Sequence, residues 1–282
     1  MSDSSPSRAS ARSSPDVGVI GLGRMAKALV WPLLERGELP AEGLAATVAR
    51  PSSLEELRTN WPEPVRAFLS GEDGAELVWQ APLQLLAVKP QQLDAVAAAA
   101  PSVDHKPLLI SVLAGVTLER LQRLFPGHRC IRAVPNTPAL VGAGLTALAW
   151  GHGVTASQQE QVKALFASVG EVLELPEDKL DAFLALTSSG PAFVALIAEA
   201  MADGAVAAGL PRDLAHHLAH RTLAGSAELL HQRCLHPAVL KDMVSSPAGT
   251  TIAGLRALER GGVRSAVIEA VVAAAERSRE LA

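Results

Sequence analysis

Near the start of the chain, Gly18-Val19-Ile20-Gly21-Leu22-Gly23-Arg24-Met25-Ala26 sets two glycines and a small residue at G-x-G-x-x-A spacing, directly after a short apolar run. Gly21 permits a tight turn, Gly23 lets an anionic group approach the backbone, and Ala26 lets the following helix pack close to the strand. The helix N-terminus adds free N–H groups and the positive end of its dipole. In this strand–turn–helix context the loop predicts a pyrophosphate site, with Gly21, Leu22, Gly23, Arg24, Met25 and Ala26 around a bound dinucleotide. The end of the second strand selects the dinucleotide, because an acid there binds a ribose 2′-hydroxyl. Here it reads Ala49-Arg50-Pro51-Ser52-Ser53, with no acid before Glu55. The guanidinium of Arg50 and the hydroxyl of Ser52 suit a 2′-phosphate, so NADPH is the predicted cofactor and NADH the alternative.

Two further segments read as helix openings. Ser246-Pro247-Ala248-Gly249-Thr250-Thr251 combines a serine, an early proline and two threonines before an apolar run. A helix start with several free N–H groups is a receptor for a carboxylate. Ser188-Ser189-Gly190-Pro191 offers a second start of the same kind. His216 and His220 have the i, i+4 spacing of metal ligands, but no carboxylate motif such as HExxH accompanies them, and no metal site is expected. Lys241-Asp242 reads as an ion pair ordering the loop that follows it.

These residues need elements to hold them. Short apolar runs at 17–20, 44–49, 83–88, 108–113, 130–134 and 145–149, and a weaker one at 65–68, read as strands. Most are continuous rather than alternating, as in a parallel sheet covered on both faces. Helical stretches at 25–35, 91–99 and 118–124 lie between them, which is a βαβ pattern. After about Gly170 alanine, leucine and glutamate dominate, and 192–208, 212–231 and 263–281 carry apolar residues at helical spacing. The predicted organisation is a tail at 1–15, a Rossmann-type domain at 16–170, and an all-α domain at 171–282 for substrate binding and dimerisation. This is an α/β fold followed by a helical domain, the arrangement of 6-phosphogluconate dehydrogenase.

The 282 residues are 49% hydrophobic and 19% charged, which excludes a largely disordered chain. A net charge of −4 gives no positive field for nucleic acid or an anionic membrane, so the expected partner is small. No continuous apolar run reaches the roughly 18 residues of a membrane helix. The first fifteen residues, rich in serine and arginine, lack the apolar core of a secretory signal and read as a disordered tail. Cys130 and Cys234 form no disulfide or metal pattern, pointing to half-buried thiols in a reducing cytoplasm.

Four more segments join the glycine loop in carrying a resemblance. They are Ala87-Val88-Lys89-Pro90, Val134-Pro135-Asn136-Thr137-Pro138, Thr187-Ser188-Ser189-Gly190-Pro191-Ala192, and the run from Leu240-Lys241-Asp242-Met243-Val244-Ser245 through Thr251. In this order and spacing, from about Val17 to Leu281, the chain resembles the pyrroline-5-carboxylate reductase family. The resemblance implies reduction of Δ1-pyrroline-5-carboxylate, a cyclic imine, to L-proline by NAD(P)H. It implies that Val88, Lys89, Pro90 and Asn136 border the cofactor, with Asn136 near the nicotinamide. It places Ser188, Ser189, Val244, Gly249, Thr250 and Thr251 around the substrate, and it implies a homodimer through interlocking helices, assembling further to a decamer of dimers. Hydride transfer to an iminium asks little of the protein beyond orientation, and the Thr251 hydroxyl is the expected partner of the ring nitrogen.

The chain departs from the family at Phe193, where tyrosine is common, at Ala248, which replaces the first glycine of Pro-Gly-Gly-Thr, and at Arg24, which replaces asparagine or glutamine. Thr187-Ser188-Ser189 also replaces Ser-Gly-Ser. A β-hydroxyacid dehydrogenase shares the opening loop but needs a lysine in the first long helix of its second domain, and none occurs from Leu186 to Leu210. Reduction of a related cyclic imine and a non-catalytic dinucleotide-binding module are the alternatives.

Overall fold

The computed structural model describes residues 14–61, 64–103 and 105–281. All but the last two residues of the predicted tail lie outside them. The described residues fall into two compact units, one running up to Ser188 and including 276–281, the other 189–275.

The first unit is built on eight strands: β1 Val17–Ile20, β2 Leu44–Val48, β3 Arg66–Leu69, β4 Leu83–Leu86, β5 Leu108–Ser111, β6 Arg129–Val134, β7 Gly144–Trp150 and β8 Gly170–Glu174. Their order is β3-β2-β1-β4-β5-β6-β7-β8. The first six form the parallel 3-2-1-4-5-6 sheet of the dinucleotide-binding fold. β7 runs antiparallel to β6, because residues 135–143 hold no crossover helix that could return the chain for parallel pairing.

β1, β2 and β4 to β7 feed both faces of the sheet. Leu44, Ala46 and Val48 enter one core and Ala45 the other; Leu108 and Ile110 part from Leu109 in the same way. The first core is covered by α1 Arg24–Glu35, α2 Pro51–Asn60 and α5 Ala156–Ala167, through Leu29, Leu33, Leu54, Leu57, Val162 and Phe166. The second is covered by α3 Leu93–Ala99, α4 Leu118–Leu124 and α6 Leu180–Thr187, through Leu93, Leu121 and Leu180. Each fully buried leucine contributes about 2 kcal/mol from removal of its surface from water.

The composition changes near Gly170, yet the first unit continues to Ser188. β8 pairs with β7 from Gly144↔Gly170 to Leu148↔Glu174, and Leu180 is fully buried in the second core. Arg132 on β6, 2% exposed, closes this end of the unit. It reaches Glu177 at 3.4 Å and Asp181 at 3.1 Å, and Asp181 accepts a hydrogen bond from Ser278 Oγ at 2.8 Å. Cys130 is fully buried, which pushes its thiol up to about 12, while Cys234 is exposed; neither is half-buried.

The second unit is helical: α7 Gly190–Ala207, α8 Arg212–Gln232, α9 Pro237–Met243, α10 Thr250–Arg260 and most of α11 Val263–Glu280. Among the described residues its buried cluster is Ala202, Ala215 and Ala219. Val194, Leu196, Ile197, Met201, Leu214 and Leu218 stay exposed, as do Val263 and Val267 on the apolar face of α11. Three alanines bury too little surface to offset the ordering of five helices, so this unit needs cover on its apolar faces. The span Glu177–Ala207 holds an 18-residue window of mean hydropathy 1.6, long and apolar enough to cross a membrane by length and composition only, although the sequence holds no uninterrupted apolar run of that length. Thr187-Ser188-Ser189-Gly190-Pro191 breaks it into α6 and α7.

Candidate functional site

In the parallel part of the sheet every strand ends at the same edge, and four of those ends carry the predicted cofactor residues. Gly21 to Ala26 follow β1, Arg50 and Ser52 follow β2, Val88, Lys89 and Pro90 follow β4, and Asn136 follows β6. β1 and β6 stand three strands apart, roughly 14 Å at about 4.8 Å per strand. The structure thus brings all twelve residues to one edge, with the strand order reversing at β1.

The glycine loop is held from below. Gly21 turns with φ +90, Leu22 N–H donates to the Thr47 carbonyl at 2.8 Å, and Gly21 N–H donates to Thr47 Oγ1 at 3.3 Å. Thr47, 5% exposed on β2, was not singled out in the sequence. A lone threonine within the apolar run Leu44-Ala45-Ala46-Thr47-Val48 is the only trace it leaves there. Above the loop there is room: a Cβ on Gly23 would meet nothing nearer than Gly21 O at 4.0 Å. α1 opens at Gly23 without a side-chain cap, and the N–H groups of Arg24, Met25 and Ala26 have no acceptor among the described residues. Three free donors beside an open backbone fit a pyrophosphate.

Arg50 is the extended N-cap of α2, exposed, and its guanidinium has no partner among the described residues. Ser52, in the first turn, is exposed beside it in sequence. The arrangement fits an added phosphate on the adenosine side of the loop.

On the far side, Asn136 is 4% exposed. Its Nδ2 donates to the Thr187 carbonyl at 3.0 Å and its Oδ1 accepts from Leu145 N–H at 2.8 Å. Ser188, half-buried, donates from Oγ to the Pro135 carbonyl at 3.0 Å. Asn136 and Ser188 are therefore brought together at the end of β6.

The remaining predicted residues belong to the helical unit. Ser189 is the N-cap of α7, with Pro191 in the first turn. Val244 is 57% exposed after α9. Residues 246–249 form a turn closed by Gly249 N–H to Ser246 O at 3.0 Å, so α10 begins at Thr250 rather than at Pro247 as the sequence suggests. Thr250, Thr251 and Ile252 have N–H groups without acceptors among the described residues, which leaves a helix start able to receive a carboxylate. Lys241 forms no ion pair with Asp242; its charge acts on Glu259, holding that carboxyl down together with Arg264, the larger influence. The His216 and His220 rings lie 6.2 Å apart on α8, and among the described residues no cluster of three metal-ligating side chains forms.

The fold and the glycine loop define the class: a Rossmann-type oxidoreductase that uses a nicotinamide dinucleotide. Residues 177–281 match the family described as pyrroline-5-carboxylate reductase dimerisation, and residues 16–115 match that described as NADP oxidoreductase, coenzyme F420-dependent. A pyrroline-5-carboxylate reductase of Synechocystis sp. is 47% identical, over 95% of this chain and 98% of its own length. The structure of Plasmodium falciparum pyrroline carboxylate reductase with NADP bound superposes with a TM-score of 0.84 at 28% identity, covering 95% of this chain and 98% of that one. The Streptococcus pyogenes 1-pyrroline-5-carboxylate reductase gives 0.83 at 30% identity, covering 94% and 98%. The chain belongs to the pyrroline-5-carboxylate reductase family. Its helical unit, residues 189–275, falls within the matched dimerisation region and carries the uncovered apolar faces.

Proposed function

We propose that this protein reduces Δ1-pyrroline-5-carboxylate to L-proline, with NADPH preferred over NADH. The observation that carries the reading is the open cradle over Gly23, with three unpaired N–H groups, in a chain that matches reductases of this name over nearly its whole length.

When bound, the reduced dinucleotide would supply the hydride, its nicotinamide C–H bond breaking as it becomes the oxidised form. The chain's own residues bind and orient. Arg24, Met25 and Ala26 present N–H groups to the pyrophosphate, with Gly21 and Leu22 shaping the turn. Arg50 and Ser52 hold the 2′-phosphate, while Val88, Lys89 and Pro90 line the same edge. Thr250, Thr251 and Ile252 N–H groups receive the substrate carboxylate, and Val244 and Gly249 shape that opening. The ring nitrogen, protonated as an iminium, donates to Thr251 Oγ1, while hydride adds to the adjacent carbon; one C–H bond forms and the C=N bond becomes C–N. Ser188 and Ser189 complete the substrate contacts. The working form is a homodimer through the helical unit, assembling further to a decamer of dimers, and it resides in the cytoplasm.

The test is oxidation of NADPH, and of NADH in parallel, with and without Δ1-pyrroline-5-carboxylate, with proline identified as product. Substrate-dependent turnover giving proline is expected. Cofactor binding without turnover on this imine would assign the chain to another imine or to a binding module. Thr251→Ala with undiminished turnover at saturating imine would remove Thr251 from the reaction.

A further inference from the structure

Thr187 ends α6, but the backbone stays helical through Ser188 (φ −94, ψ −31) and Ser189 (φ −86, ψ −31) before α7. On such a path the Thr187 carbonyl would accept from the N–H four residues on. That residue is Pro191, which has no N–H. The carbonyl so orphaned is the one to which Asn136 Nδ2 donates at 3.0 Å. The other end of the same amide accepts from Leu145 N–H at the start of β7. One amide thus joins the end of β6, the start of β7 and the end of α6. Next to it, Ser188 Oγ spends its proton on the Pro135 carbonyl, so toward a ligand this hydroxyl can only accept.

We propose that Asn136 is a positioning residue. It supplies the donor that Pro191 lacks and thereby fixes Ser188 at the carboxyl edge of the sheet as an acceptor for a bound N–H donor; in the reductase reading the single iminium N–H is shared between this acceptor and Thr251 Oγ1. At 4% exposure with its amide bonded at both ends, Asn136 acts through Thr187 and Ser188 rather than by contact with the cofactor. Its effect on turnover rests on the reductase reading; its effect on the fold does not.

The test is a double-mutant cycle of Asn136→Ala with Pro191→Ala, read by thermal unfolding, cofactor Kd from fluorescence titration, and steady-state kinetics. Asn136→Ala is expected to lower Tm and raise the imine KM about tenfold, with cofactor Kd unchanged within about twofold. In the Pro191→Ala background position 191 carries an N–H, and both losses should shrink. Asn136→Asp keeps the acceptor for Leu145 but loses the donor to Thr187, so it should behave as Asn136→Ala does, and it serves where the alanine variant fails to fold. A rise in cofactor Kd with an unchanged imine KM would overturn the proposal, as would Tm losses that add without coupling. Should the wild-type protein not reduce the imine, the reductase reading falls while the Tm coupling still decides the clasp.

Discussion

A Cβ on Gly21 would lie 2.7 Å from Val88 Cγ1, so the turn after β1 and the segment after β4 pack with no room for a side chain between them. Gly23, two residues on, is the opposite case. Its φ is −90, and a Cβ would find its nearest neighbour at 4.0 Å. Both are glycine, but the protein itself requires only the first. Gly23→Ala is therefore expected to leave thermal unfolding unchanged and to weaken cofactor binding about a hundredfold, because the methyl fills the space kept for pyrophosphate. Gly21→Ala should lose both, since it adds a clash to a φ of +90. Unfolding curves with fluorescence titration of NADPH check the pair, and a wild-type Kd for Gly23→Ala would take the pyrophosphate off this loop.

Arg50 has nothing to do in the protein alone: its guanidinium is exposed and unpartnered among the described residues. Removing it should cost the protein no stability. A charge-assisted bond to a 2′-phosphate contributes about 1.5–3 kcal/mol, so Arg50→Ala should weaken NADPH by roughly ten- to a hundredfold. NADH binding should stay within about twofold, because it lacks that phosphate. Parallel titrations with the two cofactors decide it; an equal loss for both would make Arg50 a general anion contact.

His128 supplies a pH dependence away from the site. Its ring lies edge-on to Phe125 at 5.6 Å and to Trp79 at 6.1 Å, with Nε2 3.1 Å from Gln84 Oε1. Burial, and secondarily the charge of His105, lowers its pKa from 6.5 to about 4. Between those values the unfolded chain binds a proton that the folded protein does not. Stability from this residue is thus full above pH 6.5 and declines as pH falls toward 4. Urea midpoints at pH 5 and pH 7 should differ less in His128→Asn than in wild type. An identical pH slope in the variant would place the dependence elsewhere.

The apolar runs that became β1, β2, β4, β5 and β6 were legible because apolar residues dominate strands covered on both faces, even though Thr47, Gln84, Ser111 and Arg132 are buried among them, and 118–124 coincides with Leu118–Leu124. The glycine loop was legible because turn, cradle and helix start all lie within nine residues. β8 was not: Gly170–Glu174 is a partly exposed edge strand with glutamates at Glu171 and Glu174. α5 was missed because glutamines interrupt its apolar pattern. Thr47 and the clasp of Asn136 on Thr187 depend on hydrogen bonds between residues 26 and 51 positions apart, which local spacing cannot encode. The resemblance implies that Asn136 borders the cofactor; the structure shows its amide bonded at both ends, to the Thr187 carbonyl and the Leu145 N–H.

Ala248 is where the chain's departure from its family becomes a physical cost. Gly249 N–H closes the Ser246–Gly249 turn at 3.0 Å, with Pro247 second and Ala248 third. Ala248, the third residue of this turn, adopts φ +58, a region that favours glycine. An alanine in that region costs about 1 kcal/mol relative to glycine, so Ala248→Gly should raise Tm by about 2–3 °C. The same change widens the backbone freedom of the turn leading into Thr250, Thr251 and Ile252 N–H, the proposed carboxylate receptor. The imine KM should therefore rise a few-fold even as the fold gains stability. Differential scanning fluorimetry with steady-state kinetics reads both. A lower Tm would mean that the Ala248 methyl is supported by packing rather than strained, and an unchanged KM would mean that the turn is held open by Pro247 alone.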